Sequence, residues 1–256
     1  LWQILGTGFD HFDLDYWKSK GLVVSNCPGL FSAVALADCA MMLILMLARR
    51  YPEALQNLRN GVLYNPMGAE LEGLKLGIIG FGSSGIELAR RACSFGMRNL
   101  AIDIRDVGEE EVTEFGLKFV GTPSDLDDVI AQSDVVSLHL HLNEETRHII
   151  DRRRLELMKS SALLINVARG ELVDEEALEQ ALVEGWIGGA GLDVFQVEPL
   201  PADHPLWTTT GALITPHVAA VGPHLDERRT EVFIDNCVRF SEGRPLKNIV
   251  DKANWF

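Results

Sequence analysis

The sequence predicts an α/β fold: a doubly wound parallel sheet with helices on both faces, and a second, smaller lobe. Three observations predict it. Short apolar runs alternate with helical patterns along most of the chain. A glycine-rich turn joins one of those runs directly to a helix. Strand-like and helix-like pieces at both ends fall outside the alternation, which points to a lobe built from the two termini.

The elements read in order as follows. Trp2 to Leu5 and Leu22 to Ser25 read as strands, with a helix over 11–20 between them. The stretch 33–50 reads as one long, nearly all-apolar helix. Apolar runs at 76–80, 99–103, 134–138, 162–167, 189–194 and 212–215 then read as strands of a parallel sheet. Helical patterns at 85–95, 123–132 and 174–184 supply crossovers. Asp174 is placed as an N-cap, with Glu175 and Glu176 in the first turn where the helix dipole favours negative charge. A last helix is expected at about 225–241. The domain organisation expected is 1–30 plus 223–256 for the small lobe and 31–222 for the large one.

Composition bounds the function. At 47% hydrophobic and 23% charged, the 256 residues are those of a globular chain rather than a disordered one. A formal net charge of −14 repels phosphate backbones and anionic lipid, so neither nucleic acid nor membrane is an expected partner. Cys27, Cys39, Cys93 and Cys237 form no Cys-x-x-Cys pair and no metal-ligand spacing. They read as reduced thiols of a cytoplasmic, metal-free protein, with Cys39 and Cys93 in the core. The longest apolar run, Ala40 to Ala48, is ended by Arg49 and Arg50 and is too short for a membrane span; no signal-peptide pattern precedes it. The chain starts without methionine inside an expected strand, so the small lobe is expected to be N-terminally incomplete.

Leu76-Gly77-Ile78-Ile79 runs into Gly80-Phe81-Gly82-Ser83-Ser84-Gly85 and then into a helix. This is Gly-x-Gly-x-x-Gly between a strand and a helix, the Rossmann-type arrangement for a dinucleotide. Gly80 permits the turn, Gly82 lets a pyrophosphate approach, and Gly85 lets helix pack on strand. The free N–H groups around Ser83 and Ser84 then face the anion. The next strand ends in Asp103, 18 residues after Gly85 (103 − 85), where its carboxylate can accept from both adenosine ribose hydroxyls. That favours NAD over NADP. Arg105 is the counter-argument, and is read here as a solvated loop residue whose charge Asp106 offsets. Glycine loops also serve flavins and adenosyl ligands, so the chemistry has to come from later residues.

In an open parallel sheet, ligands sit beyond the carboxyl ends of the strands. Three polar residues follow three successive strand ends: Arg169 in Asn166-Val167-Ala168-Arg169-Gly170, Glu198 in Asp193-Val194-Phe195-Gln196-Val197-Glu198-Pro199, and His217 in Thr215-Pro216-His217-Val218-Ala219. Singly, each reads equally well as a surface ion pair, a solvated turn or a satisfied histidine. A cation, a carboxylate and an imidazole on one rim beside a dinucleotide make an active site.

With these motifs, together with Gly6-Thr7-Gly8-Phe9-Asp10, Asn26-Cys27-Pro28-Gly29 and Pro201-Ala202-Asp203-His204-Pro205-Leu206-Trp207, the chain resembles the D-isomer-specific 2-hydroxyacid dehydrogenase family over nearly its whole length. That family includes 3-phosphoglycerate, glyoxylate/hydroxypyruvate and D-lactate dehydrogenases. The resemblance implies an NAD-dependent oxidoreductase moving a hydride to or from C2 of a small D-2-hydroxy or 2-oxo acid, and a flavodoxin-like small lobe. It implies that Arg169 binds the substrate carboxylate and carbonyl oxygen, that His217 is the acid/base, and that Glu198 holds the imidazole and favours its protonated form. Backbone around Leu5, Gly6, Thr7 and Gly8 would grip the substrate, with Thr7 near the cofactor. Asp193, Val167, Ala168 and Ala219 would border the nicotinamide, with Leu140 and His141 backing the cofactor. His141 stands where the family usually has proline, which puts that segment's geometry in doubt. Phe9, Phe31 and Trp207 are candidate pocket residues. A homodimer built on 33–50 and the arm at 51–70 is also implied. Two other outcomes are open: an NAD-binding corepressor-like module without turnover, and a formate or phosphonate dehydrogenase on the same scaffold. Proline before His217 counts against the formate branch.

Overall fold

The structure, a computed structural model, describes residues 1–250. The last six residues of the expected small lobe, 251–256, lie outside the described residues.

At the N-terminus, β1 (Trp2–Gln3) pairs in parallel with β2 (Val24–Ser25) through helix α1 (Leu14–Ser19), so the first strand is shorter than expected. Ile4, Phe9, Leu14 and Val24 form its small core. Helix α2 (Leu30–Ala48) and helix α3 (Tyr51–Arg59) follow. Strand β3 (Lys75–Ile79) opens the large sheet and leads through α4 (Ser83–Ser94) to β4 (Arg98–Ile102). Next come α5 (Glu109–Glu114), β5 (Leu117–Gly121), α6 (Leu126–Gln132) and β6 (Val135–Leu138). Then follow α7 (Arg152–Leu157), β7 (Leu163–Asn166), α8 (Glu175–Glu184), β8 (Gly189–Leu192) and β9 (Ala212–Ile214). Helix α9 (Leu225–Ser241) returns to the first sheet. There the fully buried Asn236 donates to Gln3 Oε1 (2.8 Å) and Ser25 Oγ (3.0 Å), tying α9 to both short strands.

The large sheet is parallel throughout in the order β5-β4-β3-β6-β7-β8-β9. Strands are added on one side of β3 and then on the other, so the chain reverses direction across the sheet between β3 and β6. A crevice opens there beyond Ile79 and Leu138. Side chains alternate between the faces as a strand's period of two requires. Ile78 joins α2 and α4 in one core, whereas Ile79 joins α6, α7 and α8 in the other.

The predicted helices and strands are present with ends shifted by a few residues, and Asp174 caps α8 by accepting from Ala177 N–H at 3.1 Å. Helices α3, α5 and α7 and strand β5 were not among the expected elements. β5 is an edge strand with Lys118 and Phe119 exposed, so it lacks the continuous apolar run of the buried strands, and α5 buries no residue at all. The apolar stretch is also longer than the run Ala40–Ala48: α2 is long and apolar enough to cross a membrane by length and composition. In this fold it packs on α4, β7 and β8 with Ala37, Ala40, Leu43 and Ile44 fully buried. Gly191 in β8 is what admits it, since a Cβ there would lie 2.9 Å from Leu43 Cβ.

Candidate functional site

The glycine loop has the shape a dinucleotide needs, and each glycine has its own reason. Gly80 has φ +95°, and a Cβ on it would lie 2.5 Å from the His139 carbonyl oxygen. A Cβ on Gly85 would run into the Gly80 carbonyl, so Gly85 is required for α4 to pack against the turn. Gly82 faces open space, with nothing within 4 Å of where its Cβ would be. The protein's own packing does not require glycine there; a group approaching the backbone would. That empty flank, beside the free N–H groups of the first turn of α4 at Ser83 and Ser84, fits a pyrophosphate.

Asp103 follows β4 at the edge of this cradle. Its carboxylate accepts from Phe81 N–H (2.5 Å) and Arg105 N–H (2.9 Å), which fixes it with lone pairs to spare for ribose hydroxyls. Arg105 is not the solvated residue expected. Its guanidinium is pinned to Glu111 and to the Phe81 carbonyl, because α5, unseen in the sequence, supplies the partner.

On the rim, His217 Nδ1 lies 2.7 Å from Glu198 Oε2. The other oxygen, Oε1, accepts from Phe195 N–H at 3.0 Å, so the carboxylate is aimed from both sides. The ring is 46% exposed, and its Nε2 is left as the outward nitrogen. His217 adopts φ 53°, a left-handed conformation that costs a non-glycine residue of order 1 kcal/mol or more. Asp193 holds it there. This fully buried residue accepts through its carboxylate from Thr215 Oγ1 (2.6 Å), Val218 N–H (2.9 Å) and Ala219 N–H (2.7 Å). Asp193, expected to border the nicotinamide, turns its carboxylate into the loop that carries His217. Cys39 on α2, half-buried rather than core, lies beneath the same loop; burial and the Asp193 carboxylate push its thiol up to about 11.

Arg169 reaches the rim from the end of β7. Asn166 shapes its turn, donating to the Arg169 carbonyl (2.7 Å) and accepting from Ala168 N–H (3.1 Å). A Cβ on Gly170 would overlap the Phe195 backbone, so glycine there lets the Arg169 turn lie against the Glu198 loop. The small lobe meets Arg169 directly. Both Asp10 oxygens lie 3.2 Å from Nε, Nη1 donates to the Ala168 carbonyl (2.7 Å), and the guanidinium occupies the place a Cβ on Gly8 would need. Burial alone would raise the Asp10 carboxyl; the hydrogen bond and charge of Arg169 outweigh it and hold it below the ordinary value.

The chain from 41 to 219 matches the family model described as "D-isomer specific 2-hydroxyacid dehydrogenase, NAD binding domain". It is 40% identical over 252 residues, 96% of this chain and 74% of the other, to a glyoxylate reductase of Korarchaeum cryptofilum. The chain belongs to the D-isomer-specific 2-hydroxyacid dehydrogenase family. Two solved structures extend the likeness. One is the D-lactate dehydrogenase of Aquifex aeolicus complexed with NAD and lactic acid, with TM-score 0.84 and 33% identity, covering 94% of this chain and 76% of that one. The other is a D-isomer-specific 2-hydroxyacid dehydrogenase of Xanthobacter autotrophicus in complex with NADPH, with TM-score 0.80 and 28% identity, covering 92% and 94%. As a member of this family the chain is an NAD-dependent oxidoreductase acting on a CH–OH group.

Within this 2-hydroxyacid dehydrogenase, the remaining expectations separate clearly. Thr7 and Gly6 are half-buried, while Leu5 is 54% exposed. The Thr7 carbonyl accepts from Asn26 Nδ2 at 2.7 Å and the Gly6 carbonyl from Cys27 N–H at 3.0 Å, which ties the Gly6–Gly8 loop to the segment after β2. Val167 and Ala219 are buried in the α2–α4 core, and Ala168 and Leu140 pack on the opposite one. Phe9 lies inside the small lobe's core rather than on a pocket wall, a correction that burial decides. Trp207 is exposed, with its indole N–H on the Pro201 carbonyl (2.7 Å), and Phe31 is half-buried in the first turn of α2. His141 is surface-accessible, yet desolvation by the surrounding protein and the nearby Arg169 charge lower its pKa, with Asp10 acting the other way.

Asp10, Asn166 and His139 were not singled out as site residues. Asp10 closes the Gly6–Asp10 motif, so the motif itself was the available signal. His139 bridges the loop after β6 to the glycine loop: Nε2 is 2.9 Å from Ser137 Oγ and Nδ1 is 3.0 Å from Ser84 Oγ. Burial pushes its pKa down to about 4, so it is a neutral imidazole joining two hydroxyls.

Proposed function

We propose that this dehydrogenase reduces small 2-oxo acids with NADH, glyoxylate and hydroxypyruvate foremost, giving D-2-hydroxy acids where the product is chiral, and runs the reverse oxidation with NAD. The observation that carries the reading is the 2.7 Å His217–Glu198 pair on the same rim as Arg169 and beyond the glycine loop. The name of the glyoxylate reductase relative supports the substrate class.

Gly80, Gly82, Gly85, the Ser83 and Ser84 N–H groups and Asp103 would hold the dinucleotide, whose nicotinamide supplies or accepts the hydride. The chain's own residues do the rest. Arg169 offers a rigid fork of donors to the substrate carboxylate and to the carbonyl oxygen at C2. Asp10, on Nε, and the Ala168 carbonyl, on Nη1, hold that fork in place. Backbone of Leu5 to Gly8 closes on the carboxylate from the small lobe. His217 gives the Nε2 proton to the carbonyl oxygen as it becomes a hydroxyl, and takes it back in oxidation. Glu198 stabilises the imidazolium and holds the ring with Nε2 outward.

The same reading assigns 1–30 with 223–256 to the substrate lobe and 31–222 to the cofactor domain. It also assigns a homodimer and a cytoplasmic location. The exposed side chains of Met42, Tyr51, Leu58, Leu63, Tyr64 and Met67, on α2, α3 and the segment after it, support the dimer as an apolar surface of the right kind.

The experiment is a panel of 2-oxo acids with NADH and chiral analysis of the products. Turnover of glyoxylate and hydroxypyruvate, and D-lactate from pyruvate, is expected. Tight NADH binding without turnover of any member would instead make the chain a binding module.

A further inference from the structure

Arg105 stands two residues beyond Asp103, where a free guanidinium could accept the 2′-phosphate that distinguishes NADP from NAD. It has no donor to offer. Nη1 donates to Glu111 Oε2 (2.9 Å) and the Asp106 carbonyl (3.3 Å), Nη2 to Glu111 Oε1 (2.8 Å) and the Phe81 carbonyl (2.8 Å), and Nε to the Phe81 carbonyl (3.1 Å). An arginine has five N–H donors, and all five are taken. The group also lies over the Phe81 ring, 5.6 Å from its centroid, which orients the plane.

Glu111 is the partner that makes this arrangement hold, and it is itself fixed. It sits in the first turn of α5 and accepts from Gly108 N–H at 3.2 Å. The pair leaves the ribose edge of the pocket with two carboxylates, Asp103 and Glu111, against one cation. Glu109 and Glu110 on the same short helix add to the negative field, whereas Glu114 is paired with Arg90 at 3.2 Å. A neutral ribose diol is accepted there; a near-dianionic phosphate meets net negative charge and a sequestered arginine.

We propose that Glu111 is a cofactor-selecting residue: by holding Arg105 in a bidentate pair, it withholds that cation from a 2′-phosphate, so that preference for NAD belongs to Asp103 and Glu111 together. The proposal rests on the glycine loop and Asp103 forming the adenosine site.

The test uses two ligands that differ only in the 2′-phosphate, adenosine 5′-monophosphate and adenosine 2′,5′-bisphosphate. Their binding is measured by calorimetry on the wild type, Glu111→Gln, Glu111→Ala, Arg105→Ala and the Glu111→Ala/Arg105→Ala double variant. Wild type should prefer the monophosphate. In Glu111→Ala the ratio should move toward the bisphosphate by about 10- to 100-fold, the worth of one or two hydrogen bonds to charged groups. Glu111→Gln, which keeps one acceptor for Arg105, should move it less. Monophosphate affinity should change little, and kcat/KM with NADPH should rise in parallel. The double variant should lose the gain. Both ligands see the same folded fraction, so the ratio stays readable even where a variant melts early. An unchanged ratio in Glu111→Ala, or a gain that survives removal of Arg105, overturns the proposal alone. Failure of both ligands to bind the wild type overturns the adenosine site as well.

Discussion

Asp193 holds His217 from two directions. The Asp193 carbonyl accepts the His217 N–H at 2.9 Å, while its carboxylate accepts the N–H groups of the next two residues, Val218 and Ala219. The left-handed turn that presents the imidazole is therefore built on one buried acid at the end of β8.

Asp193→Asn should reveal that dependence. The amide keeps one oxygen for Thr215 Oγ1 and Val218 N–H, but turns an NH2 toward Ala219 N–H. The Ala219 N–H and the new amide N–H then face each other without an acceptor, at a cost of about 1–3 kcal/mol or more. Thermal stability and kcat should both fall, with NADH affinity little changed. A variant with wild-type kcat would show that the loop does not need this anchor.

The glycine loop can be dissected without disturbing the catalytic rim. Gly82→Ala adds a methyl where nothing lies within 4 Å, so the melting temperature should stay close to wild type while NADH affinity falls. Gly85→Ala drives a methyl into the Gly80 carbonyl, so it should lower the melting temperature or prevent folding. Thermal melts and fluorescence titration with NADH separate the two effects. Wild-type affinity in Gly82→Ala would mean that the pyrophosphate lies elsewhere.

His139 gives the stability a pH dependence with a definite sign. The folded protein keeps the imidazole neutral down to about pH 4, whereas the unfolded chain takes up the proton near 6.5. Its contribution is thus complete above pH 6.5 and is lost as pH falls toward 4, by at most roughly 3 kcal/mol at 1.36 kcal/mol per unit. Melts between pH 7 and 4 should show wild type losing more stability than His139→Gln. Parallel curves for the two proteins would remove His139 as the source.

How much of this was legible depends on the reach of each signal. The glycine loop, the α8 cap and the three rim residues follow local patterns: a turn between strand and helix, an acid before a helix, a polar residue after a strand. The partners of those residues do not. Arg169 meets Asp10 across 159 positions of sequence, and nothing local to either residue predicts the contact. Arg105 was misread although its partner lies only six residues on, since Glu111 sits on a short exposed helix with no apolar stripe to announce it. Phe9 was misplaced because an aromatic beside a glycine loop looks alike whether it faces a ligand or a core. The fold class came through because it rests on many repeated alternations, and the edge strand β5 was lost because it carries the weakest of them.

Glu198→Gln isolates charge from position. The amide still reaches the ring, but the charge-assisted hydrogen bond to Nδ1 is weakened, so kcat for 2-oxo acid reduction should fall while NADH affinity is retained. A wild-type kcat in Glu198→Gln would leave Glu198 a purely structural neighbour.

The most direct measurement of the central claim compares wild type with His217→Ala in the NADH-dependent reduction of glyoxylate, with NADH affinity measured on the same preparations. If His217 is the acid/base, kcat falls by about 10²–10⁴-fold, the scale of general acid–base catalysis, and NADH binding is retained. Turnover in His217→Ala within a few-fold of wild type would contradict the account.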